Sequence, residues 1–318
     1  MKDYLWAYLI HLSNNMWDDE GSIRKPPYTL YSNHLQAEDT VWKNVIDFLP
    51  GQGFNTVLID VGDGMEYESH PEISIPGAWP KDKLKKELNH IRSLGMMPLP
   101  KLNFSTCHDT WLGKYGRMVS TPEYYQVCKD LIREVAEVFD YPAYFHLGMD
   151  EEGWGCQKNF GYCVIRQFDL WWHDAYYLFD CCEQVGARPW VWADYCWNHM
   201  EEYLQKMPKS VLQSNWSYHP IAKNPDGTYE DPKYDAYRIL DQAGFEQVPT
   251  SSAYERWYNS LQTMQLGKES LTPELVKGYM TAPWYMTTQK DYYTLLADAQ
   301  RFGDAKKVVY PDKVTADI

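Results

Sequence analysis

Three adjacent carboxylates stand at the end of an apolar stretch near the middle of the chain. Asp150, Glu151 and Glu152 follow the residues "AYFHLGM", and Trp154 comes shortly after them. Neighbouring carboxyl groups can transfer a proton and stabilise positive charge, which is the chemistry of glycosidic bond cleavage. The alternative is that these acids only precede a helix, because the helix dipole favours negative charge at that end.

The alternation of side chains along a strand favours a functional site at this segment. Phe145 and Leu147 share one apolar face, which suits packing on an outer layer of helices. His146 and Asp150 share the other face and would form a polar column inside a barrel, where a plain core would have Val or Leu. Glu151 comes where the strand ends, at the face on which barrel enzymes hold their active sites.

Further polar and aromatic side chains follow the other predicted strands. In chain order they are Asp60, Asp63 and Glu66, then Asn103, His108, Asp109 and Trp111, then Trp192 and Asp194, Asn215 and Trp216, Tyr254 and Glu255, and Trp284 and Tyr285. Each alone could cap a loop, form a turn or pack at the rim. Together, carboxylates and Trp faces at one barrel mouth are typical of a sugar site, because indole faces stack on the apolar faces of pyranose rings.

The elements that must position these residues alternate between strands and amphipathic helices. Apolar, β-type runs are predicted at 4–13, 56–61, 97–104, 143–150, 189–195, 211–216, 246–252 and 278–285, and clear helical periodicity appears at 81–95, 121–139 and 168–186. Thr121 followed by Pro122 is a typical helix start. Eight such units predict an α/β fold, a (β/α)8 TIM barrel. An open, doubly wound sheet is the alternative, but the Gly-rich phosphate loop that usually marks it does not occur. We expect a single domain over 1–318, with a C-terminal tail from about residue 303.

Composition excludes several classes of partner. The 318 residues carry a formal net charge of −14, which argues against nucleic acid and against an anionic membrane surface. No apolar run approaches the roughly 20 residues that span a bilayer. The apolar N-terminus has no small-residue cleavage site and no separate basic region, so we expect no signal peptide. This predicts a cytoplasmic protein as the chain stands, or an exported one if a leader has been removed.

Motifs for other chemistries are missing. The seven cysteines are odd in number and form no C-x-x-C pair, so we expect free thiols, with Cys156 and Cys163 as the pair to check first. Neither H-E-x-x-H nor G-x-S-x-G occurs. His108, Asp109 and His146 could form a metal site, but their spacing is unspecific. We expect no metal and no cofactor, and the oligomeric state stays open.

The fourth-strand segment resembles glycoside hydrolase family 20, the β-N-acetylhexosaminidases. "EVAEVFDYPAYFHLGMDEEGW" is similar to that family's H-x-G-G-D-E segment: His146, Gly148, Asp150 and Glu151 match, and Met149 replaces the second Gly. Looser similarities are "IDVGDGMEYESHPEIS" at the second strand, "GMMPLPKLNFSTCHD" at the third and "VWADY" at the fifth. The resemblance implies a (β/α)8 barrel that hydrolyses β-linked N-acetylhexosamine.

The resemblance also implies a role for each matching residue. Glu151 would be the general acid and then the base, and Asp150 would hold the 2-acetamido group whose oxygen acts as the nucleophile. The residues that would bind the carbohydrate substrate or support the site are His146, Trp192, Asp194, Trp216, Tyr254, Trp284, Asp63 and His108.

The sequence also departs from the family's pattern. Lys101 and Asn103 stand where the family has Glu and Asp, the first strand has no Arg, and "APWYMTT" has no acid after its Trp. Two alternatives therefore stay open. One is a barrel glycosidase of other sugar specificity that uses Asp63, Asp194 or Glu255 as an enzyme nucleophile. The other is a carbohydrate-binding barrel without catalysis.

Overall fold

Eight parallel strands form the centre of the molecule. The structure is a computed structural model that describes residues 4–25 and 29–311. The strands are β1 (Leu5–His11), β2 (Thr56–Asp60), β3 (Met97–Lys101), β4 (Tyr144–His146), β5 (Arg188–Trp192), β6 (Leu212–Ser214), β7 (Thr250–Ser251) and β8 (Gly278–Thr281). Each predicted strand is present, in a shorter form, because the polar strand ends turn into loops.

The sheet closes on itself. Strands pair in the order β6-β5-β4-β3-β2-β1-β8-β7, and β1 pairs with both β2 and β8. The remaining edge between β6 and β7 is joined by parallel bridges, Gln213 to Gln247 and Trp216 to Thr250. The Val248 amide donates to the Gln213 carbonyl at 2.8 Å across this edge. The predicted (β/α)8 barrel is confirmed.

Helices surround the barrel. They are α1 (Asp39–Phe48), α2 (Lys81–Ser93), α3 (Pro122–Val138), α4 (Trp154–Gln157), α5 (Asp169–Gln184), α6 (Tyr195–Lys206), α7 (Lys233–Gln242), α8 (Asn259–Ser270) and α9 (Tyr292–Val309), with 3-10 turns at Pro50–Gln52, Gly62–Gly64, Pro71–Ile73 and Thr110–Arg117. Helix α3 begins as predicted, since the Thr121 side chain accepts from the Tyr124 amide. No helix in the described ranges has both the length and the apolar character needed to cross a bilayer.

Two apolar cores reflect the alternation of side chains. Phe145, Leu147 and Met149 belong to the large core between strands and helices. The barrel interior forms a second core, which includes Trp190 and Trp192 from β5. His146 points into this interior, where its ring lies 5.1 Å from Trp190 and 4.5 Å from Trp192. The predicted inward and outward faces of β4 are therefore those of the structure.

The C-terminal segment and the cysteines differ in part from expectation. Helix α9 continues to Val309, and Ala305 and Lys306 are buried against the barrel, so the tail does not begin near residue 303. Residues 312–318 lie outside the described part of the chain. All seven cysteines are free, including Cys156 and Cys163.

Candidate active site

The turn after β4 directs the three carboxylates to different places. Gly148, Met149 and Glu151 have φ values of 71°, 73° and 56°, which lie in the left-handed region. That conformation costs residues other than Gly about 1–2 kcal/mol each, so the surrounding contacts must hold it. Gly148 is also required for space, since a Cβ there would lie 1.9 Å from Oδ1 of Asn103.

Side chains from the loop after β3 hold this turn. Asn103 accepts the Met149 amide at 3.3 Å and donates through Nδ2 to Oδ1 of Asp150 at 2.8 Å. The Ser105 hydroxyl donates to the Asp150 carbonyl, and the Cys107 thiol donates to the Glu151 carbonyl. The β3 loop therefore fixes both the backbone and the Asp150 carboxylate.

His108 lies between the two candidate catalytic carboxylates. Its Nε2 is 3.4 Å from Oδ2 of Asp150 and 3.1 Å from Oε2 of Glu151, while Nδ1 contacts the Met16 carbonyl. A carbonyl on one side and carboxylates on the other require hydrogens on both ring nitrogens. Burial opposes the charge, but the two carboxylates prevail and raise the pKa of His108 to about 10.

Asp150 and Glu151 consequently differ in environment. The Asp150 side chain is 10% exposed and has donors at both oxygens, whereas the Glu151 side chain is 41% exposed at the mouth. Partial burial works against ionisation of Glu151, but its bond to His108 and the imidazolium charge hold its pKa below the usual value. One carboxylate is fixed, and the other is open to solvent and to a ligand.

Asp194 supports the same turn from β5. Its Oδ2 accepts the Glu151 amide at 2.8 Å, and its Oδ1 is buried without a hydrogen-bond partner. Burial, followed by the Asp150 charge, raises the pKa of Asp194 well above its usual range.

Glu152 points away from the mouth and anchors the turn. Its side chain is 2% exposed and accepts from the Thr106 amide at 3.2 Å and the Thr106 hydroxyl at 2.8 Å. The Arg166 guanidinium lies 3.5 Å away on its other side. Glu152 is therefore a buried anchor and not part of a solvated acidic turn.

Aromatic side chains close the barrel beneath the carboxylates. The ring of Trp192 lies 5.8 Å from that of Trp284, and its Nε1 is buried without a partner. Trp284 donates to the Tyr218 hydroxyl at 2.7 Å. His11 lies 5.7 Å from Trp284 and 4.5 Å from Trp17, a residue of the β1 loop that the sequence pattern did not single out.

Trp216 is enclosed by neighbours from α6, the loop after β6 and the start of α7. Its ring packs against Trp197 at 4.7 Å and Tyr218 at 5.2 Å, and the Lys233 ammonium lies 4.9 Å from its centre. The position of Lys233 beside Trp216 could not be predicted from the sequence, because Lys233 begins a helix that the spacing of apolar residues did not identify.

Three other predicted binding residues lie in different environments from the carboxylate pair. His146 is fully buried, and its Nδ1 accepts the Gly148 amide. Asp63 is buried against the β1 loop, where it accepts from Ser13 and from Asn15, and burial raises its pKa to about 6. Tyr254 is 51% exposed, and its ring lies 5.4 Å from Tyr285, so it is at the rim.

A buried charge cluster lies below the site. Nζ of Lys101 is 2.5 Å from Oδ2 of Asp60, and Nδ1 of His11 is 3.4 Å from the same oxygen. Burial lowers the pKa of His11 despite its acidic neighbour, so that ring is neutral. The charges of Asp60 on β2 and Lys101 on β3 therefore neutralise each other inside the barrel.

His108, Asp150 and Glu151 are the one group among the described residues whose ligand atoms are spaced for a metal, lying within 4.8 Å of one another. The predicted trio of His108, Asp109 and His146 does not form such a group there. Because His108 is protonated between two carboxylates, ion pairing accounts for the short distances, and we assign no metal ligand.

The fold is shared with glycoside hydrolase family 20 structures. The Flavobacterium johnsoniae chitobiase aligns with a TM-score of 0.61 at 15% identity, over 90% of this chain but only 49% of its own. The Streptomyces plicatus N-acetyl-β-hexosaminidase aligns at 0.62 and 12% identity, over 94% of this chain and 64% of its own. A GH20 module of the pneumococcal exo-β-D-N-acetylglucosaminidase aligns at 0.58 and 16%, over 96% and 86%.

The chain spans about half the length of the chitobiase and nearly all of the pneumococcal module. No family model matches the sequence, and no curated protein matches it. At these identities the likeness shows a common fold.

Proposed function

We propose that this protein is a retaining glycoside hydrolase that cleaves β-linked N-acetylhexosamine by substrate-assisted catalysis, with the chain acting as one catalytic domain. The observation that carries the proposal is the division between Asp150, fixed by donors at both oxygens, and Glu151, open at the mouth. The fold shared with family 20 hexosaminidases supports the same chemistry.

In the first step Glu151 first takes up a proton, which the neighbouring His108 charge opposes, and then donates that proton to the glycosidic oxygen as the bond to C1 breaks. The acetamido oxygen of the same sugar attacks C1 and forms a cyclic oxazolinium ion. The Asp150 carboxylate accepts the acetamido N–H and stabilises the positive charge that develops on that group.

In the second step the Glu151 carboxylate removes a proton from water, and the water oxygen opens the ring at C1. The two inversions give net retention, and Glu151 ends protonated as it began. No enzyme nucleophile is needed, because the substrate supplies it. Adjacent carboxylates can therefore suffice when one moves the proton and the other binds the acetamido nitrogen.

The site also offers surfaces for the sugar. The partnerless Trp192 Nε1 and Asp194 Oδ1 are buried polar atoms beside the carboxylates, and burying such atoms is unfavourable unless something pairs with them. Trp284 and Trp17 line the β8 and β1 sides. We propose that these groups take the place of the Arg and the acid expected from the family pattern.

Hydrolysis of 4-nitrophenyl N-acetyl-β-glucosaminide and its galacto epimer tests the proposal. We expect turnover by the wild type and inhibition by the thiazoline mimic of the oxazolinium ion. Glu151→Gln should abolish turnover while retaining inhibitor binding. Glu255→Gln is the matched control, since Glu255 is also 41% exposed and also lies near a histidine, His219.

Four outcomes would contradict the mechanism. Full activity of Glu151→Gln would remove its assigned role. Loss of activity in Glu255→Gln, or a covalent adduct with a 2-fluoro glycoside, would favour an enzyme nucleophile. A wild type that binds the thiazoline but hydrolyses no member of a glycoside panel would favour the carbohydrate-binding alternative.

A further inference from the structure

Lys233 holds an ammonium group at the barrel mouth without a carboxylate beside it. Its Nζ lies 4.2 Å from the ring centre of Trp197 and 4.9 Å from that of Trp216, and all three residues are half-buried. In the part of the chain that the structure describes, no Asp or Glu oxygen lies within ion-pair distance of this nitrogen. By contrast Lys81, which is also half-buried, lies 2.7 Å from Glu134. The Lys233 ammonium group therefore rests on aromatic faces with no counter-charge among the described residues.

The residues around Lys233 fix its backbone and leave its ammonium group unpaired. The Asp231 carboxylate, two residues earlier, is engaged elsewhere: Oδ2 lies 3.0 Å from Nδ1 of His219, and Oδ1 accepts the Lys233 backbone amide at 3.1 Å. The Asn215 side chain accepts from the Trp197 indole at 2.8 Å and donates to the Lys233 carbonyl at 2.9 Å. The helix start and the ring below the ammonium group are thus held in place, and the charge remains available to a ligand.

This corner of the mouth adjoins the carboxylate that we propose as the general acid. The Trp197 amide donates to the Asp194 carbonyl at 2.9 Å, and the Asp194 carboxyl group accepts the Glu151 amide at 2.8 Å. Burial opposes the ionisation of Glu151 and His108 favours it, and the charge of Lys233 adds to the effect of His108 in lowering the pKa of Glu151. Lys233 is therefore a neighbour of the exposed Glu151 carboxylate, where a leaving group would pass.

We propose that Lys233 binds an anionic group, a carboxylate or a sulfate, on the leaving group (aglycone), so that the preferred substrates are β-N-acetylhexosaminides of acidic sugars. The inference rests on the proposed function, because the aglycone is the group that Glu151 protonates. A half-buried ammonium group without a counter-charge gains more from an anionic ligand than from a neutral one. The formal net charge of −14 otherwise repels anions, so the preference depends on this local cation. An anion on Lys233 also offsets one of the charges that oppose proton uptake by Glu151.

Two matched pairs of disaccharides test the charge. In the first pair N-acetylglucosamine is β-linked to glucuronic acid or to its methyl ester, which keeps the shape of the acid without its charge. In the second pair the aglycone is glucose 6-sulfate or glucose, so the two pairs distinguish a carboxylate from a sulfate. We expect wild type to prefer at least one of the anions about 10-fold in kcat/KM, as a hydrogen bond between charged groups allows. The preference should shrink as salt is added, because ions screen a pair that is open to solvent.

Substitutions at two lysines then locate the anion. Lys233→Arg should keep the preference, and Lys233→Met should bring the ratio of anionic to neutral substrate close to one. Lys209→Met is the matched control and should keep the wild-type ratio. Lys209 also lies on an aromatic ring, 3.1 Å from the centre of Phe245, but it precedes β6, at the end of the barrel opposite to the mouth.

Binding gives a readout that does not need turnover. In calorimetry with Glu151→Gln, the preferred anionic disaccharide should bind about 10-fold more tightly than its neutral partner, and adding Lys233→Met should remove the difference. Wild-type ratios near one in both pairs, or a preference that Lys233→Met leaves unchanged, would overturn the inference. A preference only for 4-nitrophenyl 6-sulfo-N-acetyl-β-glucosaminide would do the same, because its anion is not on the aglycone. If wild type hydrolyses no glycoside, the proposed function fails, while the binding result still decides whether Lys233 holds an anion.

Discussion

We expect Arg166→Met to cause a large loss of stability around the candidate site. The Arg166 side chain is 1% exposed, and its guanidinium lies 3.5 Å from Glu152 and 3.6 Å from Asp174. It also donates to the Phe104 carbonyl at the start of the β3 loop. Methionine fills a similar volume but leaves two buried carboxylates without their cation.

Removing one partner of a buried ion pair typically costs about 3–5 kcal/mol, a large part of the 5–15 kcal/mol that stabilises a typical protein. The loss should depend on pH. Burial already raises the pKa of Glu152 against the opposing effect of Arg166, and removing Arg166 raises it further. A folded-state pKa above the unfolded value means that stability falls as pH rises through it. The loss should therefore be largest at alkaline pH and shrink on acidification.

Urea denaturation at several pH values measures this effect. Arg133→Met is the matched control, because Arg133 is 56% exposed and pairs with Asp130 on the surface, so we expect a loss below about 1 kcal/mol. The double variant Arg166→Met/Glu152→Gln should recover part of the loss, since it removes one stranded charge. Equal losses in Arg166→Met and Arg133→Met, or strict additivity in the double variant, would refute the reasoning.

Three further predictions follow from single contacts. Gly148→Ala should lower the free energy of unfolding by more than about 2 kcal/mol and reduce kcat, because its Cβ would overlap the side-chain amide of Asn103. Gly186→Ala is the control: Gly186 also has a positive φ but has open space around it, so this variant should cost only the backbone strain of about 1–2 kcal/mol. His108→Gln should raise the pKa of Glu151, because it removes the imidazolium charge beside that carboxylate. A general acid is active only below its pKa, so the alkaline limb of the pH profile of kcat/KM should move upward by about one pH unit. An unmoved limb would show that His108 does not control the pKa of Glu151. Lys101→Met should cost about 3–5 kcal/mol in urea denaturation, because it strands a buried carboxylate, and a loss below about 1 kcal/mol would contradict the pairing.

The regular part of the fold could be predicted because it has a period. Alternation along β4 placed Phe145 and Leu147 outside and His146 inside, as the structure has them. Spacing of apolar residues identified α2, α3 and α5 to within a few residues. The short strands β6 and β7 are also predicted, because the β-type segments 211–216 and 246–252 extend beyond their hydrogen-bonded residues.

The turn after β4 could not be predicted in the same way. Its left-handed residues break the alternation, so neither the exposure of Glu151 nor the burial of Glu152 follows from position. The direction of Glu152 is set by Thr106, which lies 46 residues earlier in the sequence, and by Arg166, on the far side of the turn. His108 was expected at the site, but its place between two carboxylates depends on a loop conformation that no local pattern encodes.

The two third-strand departures from the family pattern are explained by their partners. Lys101 is buried and cancels the charge of Asp60, so a cation is accommodated where the pattern has an acid. Asn103 supplies an amide donor to Asp150, where an ionised Asp would instead repel it. Both residues thus leave Asp150 as a carboxylate with donors around it. Asn103→Asp should therefore impair turnover more than Asn103→Ala, because it adds repulsion to the lost hydrogen bond. Equal or better activity of Asn103→Asp on an N-acetyl glycoside would show that the amide donor is not what holds Asp150.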